Sequence, residues 1–339
     1  MGSVLQILEL FGGIGAPRKA LENLGIPIKS IDYVEIMSYA VEAYNQMFDH
    51  SQRPQDITKW NLNVDLLIHG SPCQDWSNNG LNDPSTGRSI LYERTLEIIE
   101  KELNPRPKVV IWENVVGLIS KRHVHHFNHY LEKMESFGYF NSVKVLNAVD
   151  FGIPQHRERV FTVSVLDGGH FIYPSPMPLE KRLMDYIDRE ENNPDLNLTE
   201  NELSLFFRKN GDLYIHENNS FKYRLVDEGD SINVERPNSK TRRGRVGKQI
   251  VKTITTGNNH AVYYDNKLRK LSTRENWRLM GYSDKDFSAV SKRNIPQKYL
   301  QTLAGNSIAV PVLEALLGEV INQFFSEKLS NSEKIGLFC

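Results

Sequence analysis

The sequence predicts an α/β fold: a largely parallel sheet with helices on both faces, joined to a smaller region of different character. Three observations carry this. Over the first 166 residues strand-like runs alternate with helix-like ones, the rhythm of parallel strands linked by helical crossovers. Pro174, Pro176 and Pro178 then break the rhythm, and up to about residue 250 the chain is polar, acidic at first, without clear alternation. Helical patterns return at 272–280 and 306–325, so the last helix is expected to rejoin the large domain. The expected divisions are a large domain over 1–173, a smaller one over 174–264 and a C-terminal segment over 265–339.

Each element has a local reason. Val4–Phe11 reads as the first strand. Pro17–Leu24 follows as a short helix, with Pro17 at its start and Gly25 just past its end. Ile28–Val34 is the second strand and Met37–Phe48 a helix with apolar residues at helical spacing. The apolar run 64–69 is a buried strand. Helix 89–103, strand 108–112, helix 124–137 and strands near 141–149 and 159–166 complete the alternation. Further on, 251–255 and 261–264 suggest a hairpin.

The bulk properties exclude several classes. With 339 residues, 40% hydrophobic and 24% charged, the chain is long enough for a full core plus a second domain and has an ordinary globular composition. No apolar stretch matches a membrane span, and the first residues do not read as a basic-then-apolar leader. Two cysteines, Cys73 and Cys339, rule out a disulfide framework or a cysteine-rich zinc site; no metal is expected, and a reducing cytoplasm is. The formal charge of −1 decides nothing about nucleic acid, because distribution outweighs the total.

Chemistry concentrates at strand ends. Gly70-Ser71-Pro72-Cys73-Gln74 follows the buried strand 64–69, which puts a thiol at a strand-to-loop junction, where α/β proteins place their reactive groups. A lone cysteine is otherwise more often a small buried hydrophobe. Residues 75–87 are polar and rich in Asn and Gly, as a closable loop is. The first strand runs into Phe11-Gly12-Gly13-Ile14-Gly15, and Glu35 lies 20 residues beyond Gly15. A glycine turn and a strand-end carboxylate suit an adenosine-containing cofactor, although the third glycine of a dinucleotide fingerprint is missing and an unliganded turn is the plainer reading. Asp56-Ile57 offers one hydrogen-bonding group and one apolar face for an adenine. Glu113, in Trp112-Glu113-Asn114-Val115, is expected on the same sheet edge as Cys73, either as a solvated strand end or as a proton donor. Arg157 and Arg159, in Gln155-His156-Arg157-Glu158-Arg159, precede a strand and suit surface ion pairs or the clamping of an anion or carbonyl oxygen.

Together these residues resemble the DNA (cytosine-5) methyltransferase family, from Gln6 to Phe324 and outside the variable region 174–250. The glycine turn, Glu35, Asp56-Ile57, Pro72-Cys73-Gln74 with Trp76-Ser77, Glu113-Asn114-Val115, Gln155 to Arg159, Arg274-Glu275 leading to Met280-Gly281-Tyr282, and Gly305-Asn306-Ser307 stand in that family's order. Ala16 replaces a glycine that many members have. The resemblance implies an S-adenosylmethionine-dependent, Rossmann-like methyltransferase sheet with a smaller target-recognition domain. It implies S-adenosyl-L-methionine as cofactor, held by Phe11, Gly13, Ile14, Gly15, Glu35, Ile36, Asp56, Ile57, Pro72, Leu91, Asn306 and Ser307. Cys73, Glu113, Arg157 and Arg159 become catalytic candidates: Cys73 adds to cytosine C6 so that C5 becomes nucleophilic, Glu113 serves N3 and the exocyclic amine, Arg159 holds O2, and Arg157 shapes the pocket or contacts backbone.

A base inside a duplex cannot reach such a site, so it is flipped out. The loop 74–90, with Gly80 and Gly87 as hinges, is the candidate lid, and Gln74, Ser77, Asn78 and Asn79 are candidate DNA contacts. The run Lys240 to Lys248 carries five cations and no acid. A solvated face is the commoner reading of such a run, but here Arg242, Arg243 and Arg245, with Thr253, are expected to meet phosphates or base edges. The partner expected is double-stranded DNA, the protein a monomer of restriction–modification type with a separate endonuclease as companion. Alternatives left open are the tRNA-methylating branch with the same motifs, a nucleotide-cofactor oxidoreductase, which leaves Pro72-Cys73-Gln74 unexplained, and a non-catalytic DNA-binding relative.

Overall fold

The computed structural model describes residues 4–57, 64–72, 91–103, 105–241, 243–292 and 295–329. Cys73, Gln74, Ser77, Asn78, Asn79 and Arg242 lie outside the described residues. The chain divides into two units, the first made of residues 1–147, 158–176 and 310–339, the second of 148–157 and 177–309.

The first unit holds a six-stranded sheet. Its strands are β1 (Leu5–Leu10), β2 (Ile28–Val34), β3 (Leu66–His69), β4 (Val109–Val115), β5 (Tyr139–Asn147) and, after the two-residue β6 (Gln155–His156) of the second unit, β7 (Glu158–Leu166). They lie in the order β2-β1-β3-β4-β7-β5. Every neighbouring pair from β2 to β4 is parallel, and β7 runs antiparallel to both β4 and β5. Because β1 has β2 on one side and β3 on the other, the strand order reverses there, and the carboxyl ends of β1 and β3 flank the crevice in which open α/β sheets bind ligands. The start of the reversed β7 comes to that same edge.

Helices α1 (Ala16–Asn23), α2 (Ser38–Phe48), α3 (Leu91–Glu97) and α4 (Val124–Ser136) connect these strands. In α1 proline occupies the first turn, and Gly25 past its end takes a left-handed φ of 68°, which an L side chain resists. Four short helices follow in the second unit, α5 (Glu200–Leu203), α6 (Thr273–Arg278), α7 (Asp284–Ser291) and α8 (Gln297–Asn306). The chain then returns to the first unit as α9 (Val310–Phe324), whose buried Leu313, Leu316, Leu317 and Val320 complete the core. The stretch Gln297–Phe324 is long and apolar enough to cross a membrane by composition, but more than half of it is buried and the helix is interrupted at 307–309, so it reads as core.

The second unit contains sheets β10-β9-β8 and β12-β11-β14-β15 and the parallel pair β13-β6. Its strands are β8 (Phe206–Lys209), β9 (Asp212–His216), β10 (Tyr223–Leu225), β11 (Ser231–Asn233), β12 (Arg245–Gly247), β13 (Val251–Lys252), β14 (His260–Tyr264) and β15 (Lys267–Lys270). Leu205, Leu213, Ile215, Val226, Ile232, Val246 and Tyr263 form its core. The expected hairpin of 251–255 with 261–264 does not form. Val251–Lys252 pairs instead with Gln155–His156, and the segment is held there because Ile254 N donates to Gln155 Oε1 and Thr253 Oγ1 to His156 O. The hairpins are β8–β9 across Asn210-Gly211 (φ 55° and 91°) and β14–β15 across Asp265-Asn266 (φ 48° and 57°). Positive φ at both central residues is the geometry that twists with its strands.

Candidate active site

The loop after β1 is pressed against an aromatic shelf. Tyr33 and Tyr44 stack with centroids 3.9 Å apart, and Phe48 lies 4.8 Å from Tyr44. A Cβ on Gly12 would fall 2.6 Å from the Tyr33 ring, and one on Gly15 2.6 Å from Tyr44, so both positions exclude a side chain. Over Gly13, by contrast, nothing lies within 4 Å of that point, and its φ of 55° with 73° at Gly15 lies in the left-handed region that favours glycine. Phe11 shares this left-handed backbone at φ 57°. The loop is tight beneath and open above.

The end of β2 clamps that open peptide from both sides. Tyr33 Oη donates to Gly13 O at 2.6 Å, and Gly13 N donates to Glu35 Oε2 at 3.0 Å. Glu35 is buried and its other oxygen accepts from Ile36 N and Met37 N, both at 2.9 Å. Burial raises the Glu35 carboxyl above its ordinary range, and these three N–H donors oppose the rise. Ile36 beside it is 66% exposed, an uncovered apolar side chain next to a carboxylate. Gln55 N donates to Glu35 O and its amide to Tyr33 O, which brings exposed Asp56 and buried Ile57 to the same strand end. Ile57 O in turn accepts from Arg94 Nε. These groups fit an adenosine cofactor: a carboxylate for ribose hydroxyls, an apolar face, and an open glycine peptide where backbone can approach.

On the other side of β1, the ends of β3, β4 and β7 meet. Arg159 Nε lies 3.1 Å from Glu113 Oε1, both side chains largely shielded. The register pairs Arg159 with Val115 and Phe161 with Glu113, so Glu113 and Arg159 point to the same face. The segment leading to Cys73 is latched to β4. Trp112 Nε1 donates to Ser71 Oγ at 3.0 Å and Asn114 Nδ2 to Ser71 O at 3.2 Å, while Asn114 Oδ1 accepts from Val115 N. A Cβ on Gly70 would stand 3.6 Å from Glu113 Oε2. Pro72 is half-buried beside this latch, and Leu91, also half-buried, opens α3. Nearby His69 faces the core: it stacks on Trp112, shares a hydrogen bond with Tyr130 Oη, and is pushed down by burial to about 3, so it stays neutral.

In the second unit Arg157 is buried, and its guanidinium donates to Ile254 O, Gly305 O and Ser307 O. Buried Ser307 also shares a hydrogen bond with Tyr282 Oη at 2.9 Å, and Asn306 is exposed. Thr253 gives its hydroxyl proton to His156 O. Arg243 is half-buried and Arg245 exposed on β12. Lys248, the last cation of the basic run, is engaged internally, 2.6 Å from Asp227 and 2.7 Å from Asp230.

The model of the family described as "C-5 cytosine-specific DNA methylase" matches residues 5–322. The chain belongs to this family. Among its relatives, the type II methyltransferase M.HaeII of Haemophilus aegyptius is 28% identical over 93% of this chain and 92% of its own length. The type II methyltransferase M2.ScrFI of Lactococcus lactis subsp. cremoris is 34% identical over 76% of this chain and 66% of its own length. The crystal structure of S. pombe Dnmt2 methyltransferase superimposes with a TM-score of 0.71 at 22% identity, covering 95% of this chain and 99% of that one. At that identity the likeness speaks for the fold, a methyltransferase sheet with helices.

Three groups at this site escape a motif reading. Tyr33 and the Ser71 latch depend on neighbours far apart in sequence; the one visible signal was a tyrosine two residues before Glu35, which alternation places on its face. The third is Glu9 on β1, buried to 1%. Burial pushes its carboxyl up to about 8, against the opposing pull of Arg18.

Proposed function

We propose that the chain methylates C5 of a cytosine flipped out of duplex DNA, with Cys73 as nucleophile and Glu113 and Arg159 as the groups that hold the base. The observation that carries this is the Glu113–Arg159 pair at 3.1 Å, on the sheet edge to which the Ser71 latch leads the residues before Cys73. A carboxyl and a guanidinium side by side match the N3 and O2 positions of cytosine. The Cys73 thiolate adds to C6, forming the S–C6 bond as the C5–C6 double bond opens. Electron density moves toward N3, where Glu113 donates a proton or hydrogen bond while its other oxygen accepts from the exocyclic amine. Arg159 donates to O2. After substitution at C5, loss of the C5 proton and departure of the thiolate restore the ring. Arg157, whose donors serve backbone carbonyls, positions the second unit's chain.

The family and fold imply S-adenosylmethionine, which supplies an electrophilic sulfonium methyl when bound. Glu35 would hold its ribose, Ile36, Asp56 and Ile57 its adenine, and Phe11, Gly13, Ile14 and Gly15 its amino-acid end, with Pro72, Leu91, Asn306 and Ser307 as further contacts. The second unit would read the target, with Arg242, Arg243 and Arg245 divided between phosphates and base edges and Thr253 nearby. Gln74, Ser77, Asn78 and Asn79 would follow the flipped base. The type II designation of the relatives supports a restriction–modification setting with a separate endonuclease, and a cytoplasmic one, where the DNA is.

The test is bisulfite sequencing of DNA from a host expressing the protein, together with the Cys73→Ser variant. Methylation at a defined motif is expected with the wild type and none with Cys73→Ser, while cofactor affinity is retained. DNA carrying 5-fluorocytosine should trap the wild type covalently, since fluorine cannot leave as a proton does. Full activity of Cys73→Ser on natural DNA would sink the mechanism.

A further inference from the structure

The ladder β13-β6 of the second unit is short but firmly held. Val251 N donates to Pro154 O at 2.8 Å, Ile254 N to Gln155 Oε1 at 3.0 Å and Thr253 Oγ1 to His156 O at 2.9 Å. The side chains of Gln155, Arg157, Val251 and Ile254 turn inward and are buried. Lys252 and His156 are paired in register, so their side chains leave the ladder together on its outer face, from backbones about 4.8 Å apart. Both are half-buried.

A half-buried ammonium ordinarily turns to an oxygen. Lys108 donates to Leu166 O, Lys270 reaches Glu202 at 2.8 Å and Lys328 reaches Asp65 at 2.6 Å, and all three are half-buried. Lys252 reaches no oxygen among the described residues, and the His156 ring has no partner there either. A solvated lysine is the plainer reading of a strand cation, but such lysines stand exposed, as Lys144, Lys209 and Lys267 do.

The chemistry of the missing partner follows from the donors. A threonine hydroxyl has one proton to give, and Thr253 gives it to His156 O, so that hydroxyl has none left for a phosphate. Lys252 offers three donors with a full charge, and an imidazole offers at least one N–H in either tautomer. Side by side on a fixed backbone they suit an anion that accepts hydrogen bonds and donates none, as a phosphodiester does. Only Arg157 and Glu158 separate His156 from Arg159. An extended chain spans at most about 3.6 Å per residue, which keeps the backbone at His156 within about 11 Å of that at Arg159. Arg159 is the residue that holds the flipped cytosine, and a flipped cytosine stays tethered to its own phosphates.

We propose that Lys252 and His156 grip a backbone phosphate of the strand that carries the target cytosine, the role that the sequence suggests for the Thr253 hydroxyl. The contact rests on the DNA-methylating reading above, and it fixes register without reading sequence.

The experiment uses the full-length protein and a short duplex carrying the motif that bisulfite sequencing defines. Single neutral methylphosphonates replace the phosphates around the target cytosine, one at a time and in either strand, and fluorescence anisotropy gives Kd. On the unmodified duplex Lys252→Gln should bind about tenfold more weakly, with a salt slope shallower by about one and the methylated motif unchanged. Lys252→Arg should recover the slope. His156→Ala should weaken binding several-fold, and His156→Gln, whose amide keeps an N–H donor, should recover most of the loss. One methylphosphonate in the target strand should weaken the wild type about tenfold and Lys252→Gln hardly at all. A slope unchanged in Lys252→Gln, or the lack of any target-strand position whose effect that substitution cancels, overturns the contact, while wild-type methylation of the same duplex leaves the reading above standing. A wild type that neither binds nor methylates duplex DNA overturns both.

Discussion

In the first unit, β1, β3 and β4 are buried on both faces almost without interruption, and a continuous apolar cluster runs from Leu8 through Val110 to Tyr130. The second unit has strands of two to five residues. There, single polar groups do much of the fastening. Arg157 ties three carbonyls, Gln155 bridges Leu279 O and Ile254 N, and buried Arg269 grips Glu275 at 2.7 Å. A unit held by spread-out apolar burial loses little with any one polar change outside its site, whereas a unit held by a few buried polar groups fails when one is removed.

That contrast can be broken by experiment. Glu113→Gln in the first unit should slow methyl transfer by about two to four orders of magnitude, the usual worth of a positioned acid, with an unchanged melting temperature. A rate within a few-fold would make Glu113 a strand-end residue only. Glu275→Gln in the second unit should do the reverse, costing about 3–5 kcal/mol of stability because Arg269 is left buried and unpaired. Thermal unfolding checks this, and a loss near zero would refute the difference between the units.

Glu9 is the exception that sharpens the comparison, a buried acid inside the apolar unit. Its folded pKa of about 8 lies above the ordinary value of 4.5, so the folded state binds the proton more tightly than the unfolded one. Ionisation therefore adds no cost below about pH 4.5, and stability falls as pH rises toward 8. Glu9→Gln should match wild type in urea unfolding at about pH 4 and exceed it at about pH 9, by on the order of 5 kcal/mol. Parallel pH profiles would show that Glu9 has a partner that accepts its charge. The smallest effect expected is that of Tyr33→Phe. Loss of its bond to Gly13 O, worth about 1 kcal/mol, should raise the KM for the methyl donor several-fold and leave kcat and the KM for DNA alone. A fall in kcat with unchanged cofactor KM would assign Tyr33 another role.

The same contrast explains what could be read in advance. Leu5–Leu10, Ile28–Val34 and Ser38–Phe48 follow from periodicity because each is long enough to display it. The candidate site was legible as strand-end motifs, since Glu35, Glu113 and Arg159 each follow or precede an apolar run. The three-residue β10, β11 and β12 are too short to show a period. The segment 251–255 reads as half of a hairpin because β-branched residues favour any strand. Its actual partner, Gln155–His156, is almost a hundred residues away and leaves no local trace.

The second unit is not one stretch of chain. Its boundaries, 147/148, 157/158, 176/177 and 309/310, make four passages between the units. The short excursion 148–157 supplies the strand partner of Val251–Lys252 and the guanidinium that ties Ile254, Gly305 and Ser307. Exchange of recognition specificity between relatives, in a laboratory chimera or by recombination, therefore has a hidden linkage. A cassette cut at 174–264 leaves behind a decapeptide that the cassette's own backbone depends on. Functional hybrids should be those in which this decapeptide travels with the larger piece or in which both parents carry a compatible one.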